Sequence, residues 1–204
     1  VAAAVGVDFI SVGVANFSAE VIWRHTERFQ PSIEPDRGQH VIMDRLLALL
    51  HSAVERGLIH TKRLLGIAVG VPGLVDLETG TLLFAPNLGW HDVPLRRILT
   101  DEFNVPVFID NEGNLAALGE TLYGAAVGHS HVLYISAGVG LGGGIVRDGQ
   151  LYRGASGFAG EFGHMTTSPG GEQCSCSNQG CWETQVSERA LRAHITRAIA
   201  AGRH

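Results

Sequence analysis

The sequence predicts an α/β fold built on a partly parallel sheet and divided into two lobes. Three observations carry this. Apolar, β-branched runs at 5–14 and 64–71 flank a segment, about 39–55, in which Ile42, Leu46, Leu49, Leu50 and Ala53 recur at helical spacing. Strand, helix and strand in that order mark a βαβ unit, whose strands lie parallel. A second strand-and-glycine-loop pattern begins in the later half, placing a boundary near 110–125. Residues 1–115 are expected to form the first lobe and 116–204 the start of the second.

Taken in order, 5–14 reads as one strand with Asp8 near its start, and 21–24 as its return partner around a turn at 16–19. Residues 32–37, with Pro31 and Pro35, read as loop, and Gly57 is expected to stop the helix of 39–55. The strand at 64–71 ends at Pro72-Gly73. A turn at 77–80 leads to a short strand at 81–84 and an irregular segment, Ala85-Pro86-Asn87-Leu88-Gly89-Trp90. Residues 93–103 pattern as a short helix, 105–109 as a buried strand and 113–123 as a helix. A strand at 131–135 feeds the glycines of 138–144, and 144–146 is the strand after them. From 154 to 183 the chain reads as loop, and 186–200 as a last amphipathic helix.

Composition narrows the class. Hydrophobic residues make up 45% and charged residues 17%, which fits a folded chain and not a disordered one. Glycine, at 27 of 204, is abundant but clustered, which excludes a collagen-like repeat. No apolar run approaches the roughly 20 residues of a membrane helix, and no signal peptide is read at the start. A net charge of −5 argues against a nucleic-acid surface on this chain. The three cysteines all lie between 174 and 181, which points to a reducing, cytoplasmic compartment and to a metal.

Those cysteines and one histidine, His164, Cys174, Cys176 and Cys181, give the spacing His-x9-Cys-x-Cys-x4-Cys. Four soft or borderline ligands suffice for a closed tetrahedral zinc site, and Pro169-Gly170-Gly171 lets the chain turn back from His164 to the thiols. With every ligand supplied by protein, the zinc of loop 164–183 would be structural. The alternative is three free thiols beside an unrelated histidine.

Ligands of open α/β sheets sit beyond the carboxyl ends of strands. Gly73, Asn87, Asn111 and Glu112 fall at such places, and Glu161, His164 and Glu183 flank the cysteine loop, which would fold the two glutamates close together. Asparagine amides and carboxylates can read a ring of hydroxyls. They can equally serve turns and helix starts. The glycines of 138–144, with no P-loop lysine and a strand after them, support neither a P-loop nor a dinucleotide fingerprint. They leave open a phosphate cradle or a turn needing positive φ and close backbone packing.

Several segments together resemble the ROK family of repressors, open reading frames and sugar kinases. They are Gly70-Val71-Pro72-Gly73, Ala85-Pro86-Asn87-Leu88-Gly89-Trp90, Asn114-Leu115-Ala116-Ala117-Leu118-Gly119-Glu120, Gly160-Glu161-Phe162-Gly163-His164, and the run from Cys174 through Cys181-Trp182-Glu183-Thr184. The resemblance implies an actin-like (ribonuclease H-like) ATPase-type fold of two α/β lobes, the structural zinc on His164, Cys174, Cys176 and Cys181, and a monosaccharide in the cleft. Sugar contacts would fall to Gly73, Asn87, Asn111, Glu112, Glu161, His164 and Glu183.

Departures from the family pattern point away from phosphoryl transfer. Family kinases open with Asp-x-Gly-Gly-Thr, where this chain has Asp8-Phe9-Ile10-Ser11; their Gly-Thr-Gly is here Gly138-Val139-Gly140. Their catalytic aspartate is replaced by Glu112, whose extra methylene moves the carboxylate by roughly an ångström. The resemblance therefore implies the sugar-sensing domain of a regulator of the xylose-repressor type, bacterial, cytoplasmic and forming a homodimer or higher homo-oligomer. DNA would be held by an upstream winged helix-turn-helix absent from this chain. The chain ends after one helix beyond the cysteine loop, so the second lobe is expected to be incomplete, a piece of a larger protein. The alternatives are an ATP- and Mg²⁺-dependent sugar kinase with Glu112 as base, and a zinc-stapled scaffold without ligand.

Overall fold

The computed structural model describes residues 1–29, 35–60 and 63–202. The chain divides into two compact units, Val1–Glu112 and Gly113–His204.

The first unit opens with an antiparallel meander, β1 (Ala2–Val5), β2 (Phe9–Ala15) and β3 (Val21–Arg28), followed by helix α1 (Pro35–His60) and β4 (Ile67–Val71). A small antiparallel sheet, β5 (Leu74–Asp76), β6 (Thr81–Ala85) and β7 (Trp90–Val93), leads through α2 (Leu95–Phe103) to β8 (Val107–Asn111). The main sheet has the order β3-β2-β1-β4-β8, with β4 parallel to both β1 and β8. The expected single strand at 5–14 is thus two strands folded at Gly6-Val7-Asp8, where the Gly6 N–H donates to the Phe9 carbonyl at 2.8 Å. The partly parallel sheet holds, and of the strands before α1 the one that pairs with β4 is β1. The strand just before α1, β3, is an antiparallel edge.

Helix α1 starts at Pro35, a residue whose fixed φ suits a first turn, so the expected loop at 32–37 ends earlier than read; 32–34 lie outside the described residues. Gly57 does not stop the helix. It lies against β2, where a Cβ would come within 3.3 Å of Val14 Cγ1, so its smallness serves packing. Trp90, read as irregular, begins β7. Helix α2 ends at Asn104, which takes the left-handed conformation (φ 50°) and donates its N–H to the Thr100 carbonyl. Ile10, Val12, Leu46, Leu50, Ile67, Val69, Val71, Leu82, Trp90, Leu95 and Leu99 form one continuous buried core.

The second unit holds most of α3 (Glu112–Tyr123), the antiparallel sheet β9 (Val132–Ala137), β10 (Leu141–Arg147) and β11 (Gln150–Leu151), a 3₁₀ turn at Phe162–His164, α4 (Glu183–Val186) and α5 (Glu188–Ala200). The expected helix at 186–200 is α5, which begins two residues later, after Ser187, whose hydroxyl caps it by accepting from the Ala190 N–H at 3.3 Å. The glycine cluster is mostly strand. None of Gly138, Gly140, Gly142, Gly143 and Gly144 has positive φ, so the turn between β9 and β10 does not need it. Close packing is what they serve: a Cβ on Gly144 would lie 2.7 Å from the Gly113 carbonyl oxygen of α3, and one on Gly143 2.5 Å from the Tyr134 carbonyl oxygen.

Candidate functional site

In the second unit the sequence folds His164, Cys174, Cys176 and Cys181 into one cluster whose ligand atoms all lie within 4.8 Å of one another. The chain doubles back through a knuckle in which the Cys174 N–H donates to the Asn178 carbonyl at 2.8 Å, and Ser177 and Gly180 take positive φ. Thr166 and Cys181 form an isolated antiparallel bridge that brings the histidine end beside the last thiol. Cys176 Sγ lies 3.7 Å from Cys181 Sγ, and Cys174 Sγ 3.7 Å from His164 Nδ1. A tetrahedral ion with metal–sulfur bonds of about 2.3 Å needs sulfur–sulfur edges of about 3.8 Å, so the donor set fits such an ion. All three cysteines are free. Burial and hydrogen bonds from Cys176 and Cys174 push the Cys181 thiol up to about 12, a cost that a bound cation reverses by taking the thiolate.

The acids stand around this cluster. His164 uses Nδ1 toward the thiols, while its Nε2 lies 3.9 Å from Glu161 Oε2, and both side chains keep about a third of their surface open. Burial raises the Glu161 carboxyl above its ordinary value; His164 opposes the shift and nearby Glu183 adds to it. The fold thus brings both glutamates to the metal loop. Glu183 is only 4% exposed: Oε2 accepts from the Leu141 N–H at 2.8 Å, and Oε1 faces the Cys174 thiol at 3.8 Å.

In the first unit, Asn111 ends β8 and its Nδ2 donates to the Gly73 carbonyl at 2.9 Å. Gly73 has φ +96°, and a Cβ there would strike the Phe84 carbonyl oxygen and lie 2.9 Å from Ala85 Cα, two residues before Asn87. Gly73, Asn111 and the turn carrying Asn87 are therefore neighbours. Glu112 follows Asn111 at the start of α3, touching solvent yet crowded enough by protein that its carboxyl rises to about 6. Asp8 lies on the β1–β2 turn, at the end of the sheet where β4 and β8 also finish, and is ion-paired to Arg28 at 3.1 Å. Gly138 and Gly140 close the β9–β10 turn, the Gly138 N–H donating to the Gly140 carbonyl at 2.8 Å.

Three participants escaped the sequence reading. Arg28 reaches Asp8 because β2 and β3 pair Phe9 with Arg28, a register offset by one residue between Val14 and Ala15 and so not countable from the 16–19 turn. The Phe9 ring lies against Gly6 and occupies the space a Cβ there would need, and nothing in the sequence spacing signals that contact. The Leu141 amide, a backbone group, leaves no signal at all. Among the described residues, no helix is long and apolar enough to cross a membrane.

The chain is 43% identical over 97% of its length to the xylose repressor of Caldicellulosiruptor bescii, covering 48% of that protein. It is 43% identical over 67% of its length to the glucokinase of Halalkalibacterium halodurans, covering 42% of it. Among solved structures, a ROK family glucokinase from Streptomyces griseus in complex with glucose and AMPPNP superposes with TM-score 0.81 at 34% identity, over 97% of this chain and 60% of the other. A ROK family transcriptional regulator homologous to the E. coli MLC protein gives TM-score 0.82 at 30% identity, over 99% of this chain and 50% of the other. The chain spans about half the length of the relatives it matches. The fold is accordingly the actin-like α/β architecture of these proteins. The ROK family model matches residues 1–202, and the chain belongs to the ROK family.

Proposed function

We propose that this chain is the sugar-sensing part of a ROK transcriptional regulator, taking a monosaccharide without phosphorylating it. The observation that carries the reading is the closed turn between β1 and β2. There the Phe9 ring covers Gly6, the Gly6 N–H is bonded within the turn, and the Asp8 carboxylate is paired with Arg28. A loop that wraps phosphates needs bare backbone and a carboxylate free to meet a metal ion. Here the Gly6 backbone is covered and the Asp8 carboxylate is shared with Arg28. The loss of a hydroxyl in Gly138-Val139-Gly140 points the same way.

Sugar contacts proposed within the first unit are Gly73, Asn87, Asn111 and Glu112; within the second unit, taken by itself, the candidates are Glu161 and His164, whose side chains remain partly open. The Glu183 carboxylate faces inward. The likeness to xylose repressors favours an aldose, with xylose the first to test. The cation of the His164, Cys174, Cys176 and Cys181 cluster is zinc, held for structure, since four protein ligands leave no open position. Such a regulator holds DNA through a module outside these 204 residues, works as a homodimer or higher oligomer, and resides in the cytoplasm, where free thiols persist. Sugar can shift a regulator only by its differential affinity for two arrangements. A thermal-shift screen of full-length protein against xylose, glucose and other common monosaccharides, with and without Mg²⁺-ATP, tests the reading. A sugar-dependent rise in Tm that ATP does not alter is expected; tight Mg²⁺-dependent ATP binding contradicts it.

A second reading has one observation behind it. Glu112, raised to about 6, lies near the range suited to a general base, so an ATP-dependent sugar kinase remains the alternative, in line with the likeness to glucokinases.

A further inference from the structure

The metal loop and the glycine turn at 138–141 are joined through one buried side chain. Glu183 stands two residues after Cys181, at the start of α4, and is 4% exposed. Its Oε2 accepts the Leu141 N–H at 2.8 Å, a fully buried bond that reaches across 42 residues. Its Oε1 faces Cys174 Sγ at 3.8 Å. Five residues further on, the Glu188 N–H at the start of α5 donates to the Gly138 carbonyl at 2.8 Å. The other side of the same strand is gripped by the histidine end of the loop: Gly163 packs so close to Leu141 that a Cβ would collide with the Leu141 carbonyl oxygen and lie 3.1 Å from its carbon. A buried amide bonded to a carboxylate is strong and costly to leave unpaired. The two ends of the metal loop therefore clamp one backbone segment, with the N–H held by a side chain whose own position depends on the fold of the cysteine knuckle.

We infer that Glu183 is a positioning residue that transmits cation occupancy of the His164–Cys181 loop to the Gly138–Leu141 turn. A cation that fixes Cys174 and Cys181 fixes the start of α4, and with it the carboxylate that holds Leu141. Loss of the cation frees the knuckle, and the turn loosens with it. The inference goes beyond the sugar-sensing proposal and rests only on its metal assignment.

Amide hydrogen exchange in the full-length protein tests it, with metal content read separately by elemental analysis. Glu183→Ala is expected to speed exchange of the Leu141 amide at least tenfold, while Glu183→Gln, which keeps an acceptor oxygen, restores most of the protection. Chelation of the wild-type protein is expected to speed the same amide by a similar factor, and chelation of Glu183→Ala to add little. Unchanged Leu141 exchange in Glu183→Ala overturns the inference. So does unchanged exchange in wild-type protein that has demonstrably lost its metal. If Glu183→Ala fails to fold, the wild-type and Glu183→Gln arms, each with and without chelator, decide the matter. Protein purified without chelator that contains no metal contradicts the metal assignment itself, while the Glu183→Ala arm still reads the grip on Leu141.

Discussion

At Gly73 the left-handed backbone and the crowding by Phe84 and Ala85 leave no room for a side chain. Gly73→Ala should destabilise the protein by about 2 kcal/mol or more in urea unfolding, combining backbone strain with a clash against rigid main chain. Gly138→Ala is the control: no atom lies within 4 Å of its would-be Cβ and its φ is ordinary, so the change should stay within about 0.5 kcal/mol. Glu112 makes a different prediction. Its folded carboxyl is raised from 4.5 to about 6, so the folded state holds a proton that the unfolded state has released. Its contribution to stability is present below about pH 4.5 and is lost as pH rises through about 6. The urea midpoint of the wild type should therefore fall relative to Glu112→Gln between pH 4.5 and pH 6.5 and run parallel above. A difference independent of pH would refute the assignment.

Among the elements, the loop that carries His164 and the three cysteines stands out. Buried apolar side chains of the second unit are few, Ala117, Leu141, Val146, Cys174, Cys181 and Ala190, and β9 leaves Leu133 and Ile135 exposed. A bound cation in the cluster would cross-link this segment. Cys176→Ser should remove the metal, measured by elemental analysis, and lower Tm by roughly 5–10 °C. Retained metal, or an unchanged Tm, would speak against a structural ion. This loop was legible in the sequence because its ligands sit close along the chain and their spacing alone nearly determines the knuckle. Elements with distant partners were not. The fold at Gly6 cut one apolar run into two strands because turn and strand residues there alternate without punctuation. Gly57 misled for the opposite reason: its signal is helix-stopping, but contact with Val14 overrides it. Arg28 beside Asp8 and Glu183 beside Leu141, 20 and 42 residues apart, follow from register and topology.

At the scale of the whole molecule, the strand-end asparagines and acids proposed to read a sugar were legible as candidates, while the β1–β2 turn was legible only in part. The sequence lacks the two glycines after Asp8, but only the structure lays the Phe9 ring on Gly6 and the Arg28 guanidinium on Asp8. A single exposed ion pair contributes at most about 1 kcal/mol. The closed turn is therefore an argument about shape more than about energy. The most direct measurement is calorimetric titration of the full-length, metal-loaded protein with a panel of aldoses, run beside a coupled assay for ADP release in the presence of Mg²⁺-ATP. Saturable heat from at least one aldose with no sugar-dependent ADP is the predicted result. Sugar-dependent ADP release that Glu112→Gln abolishes would contradict it.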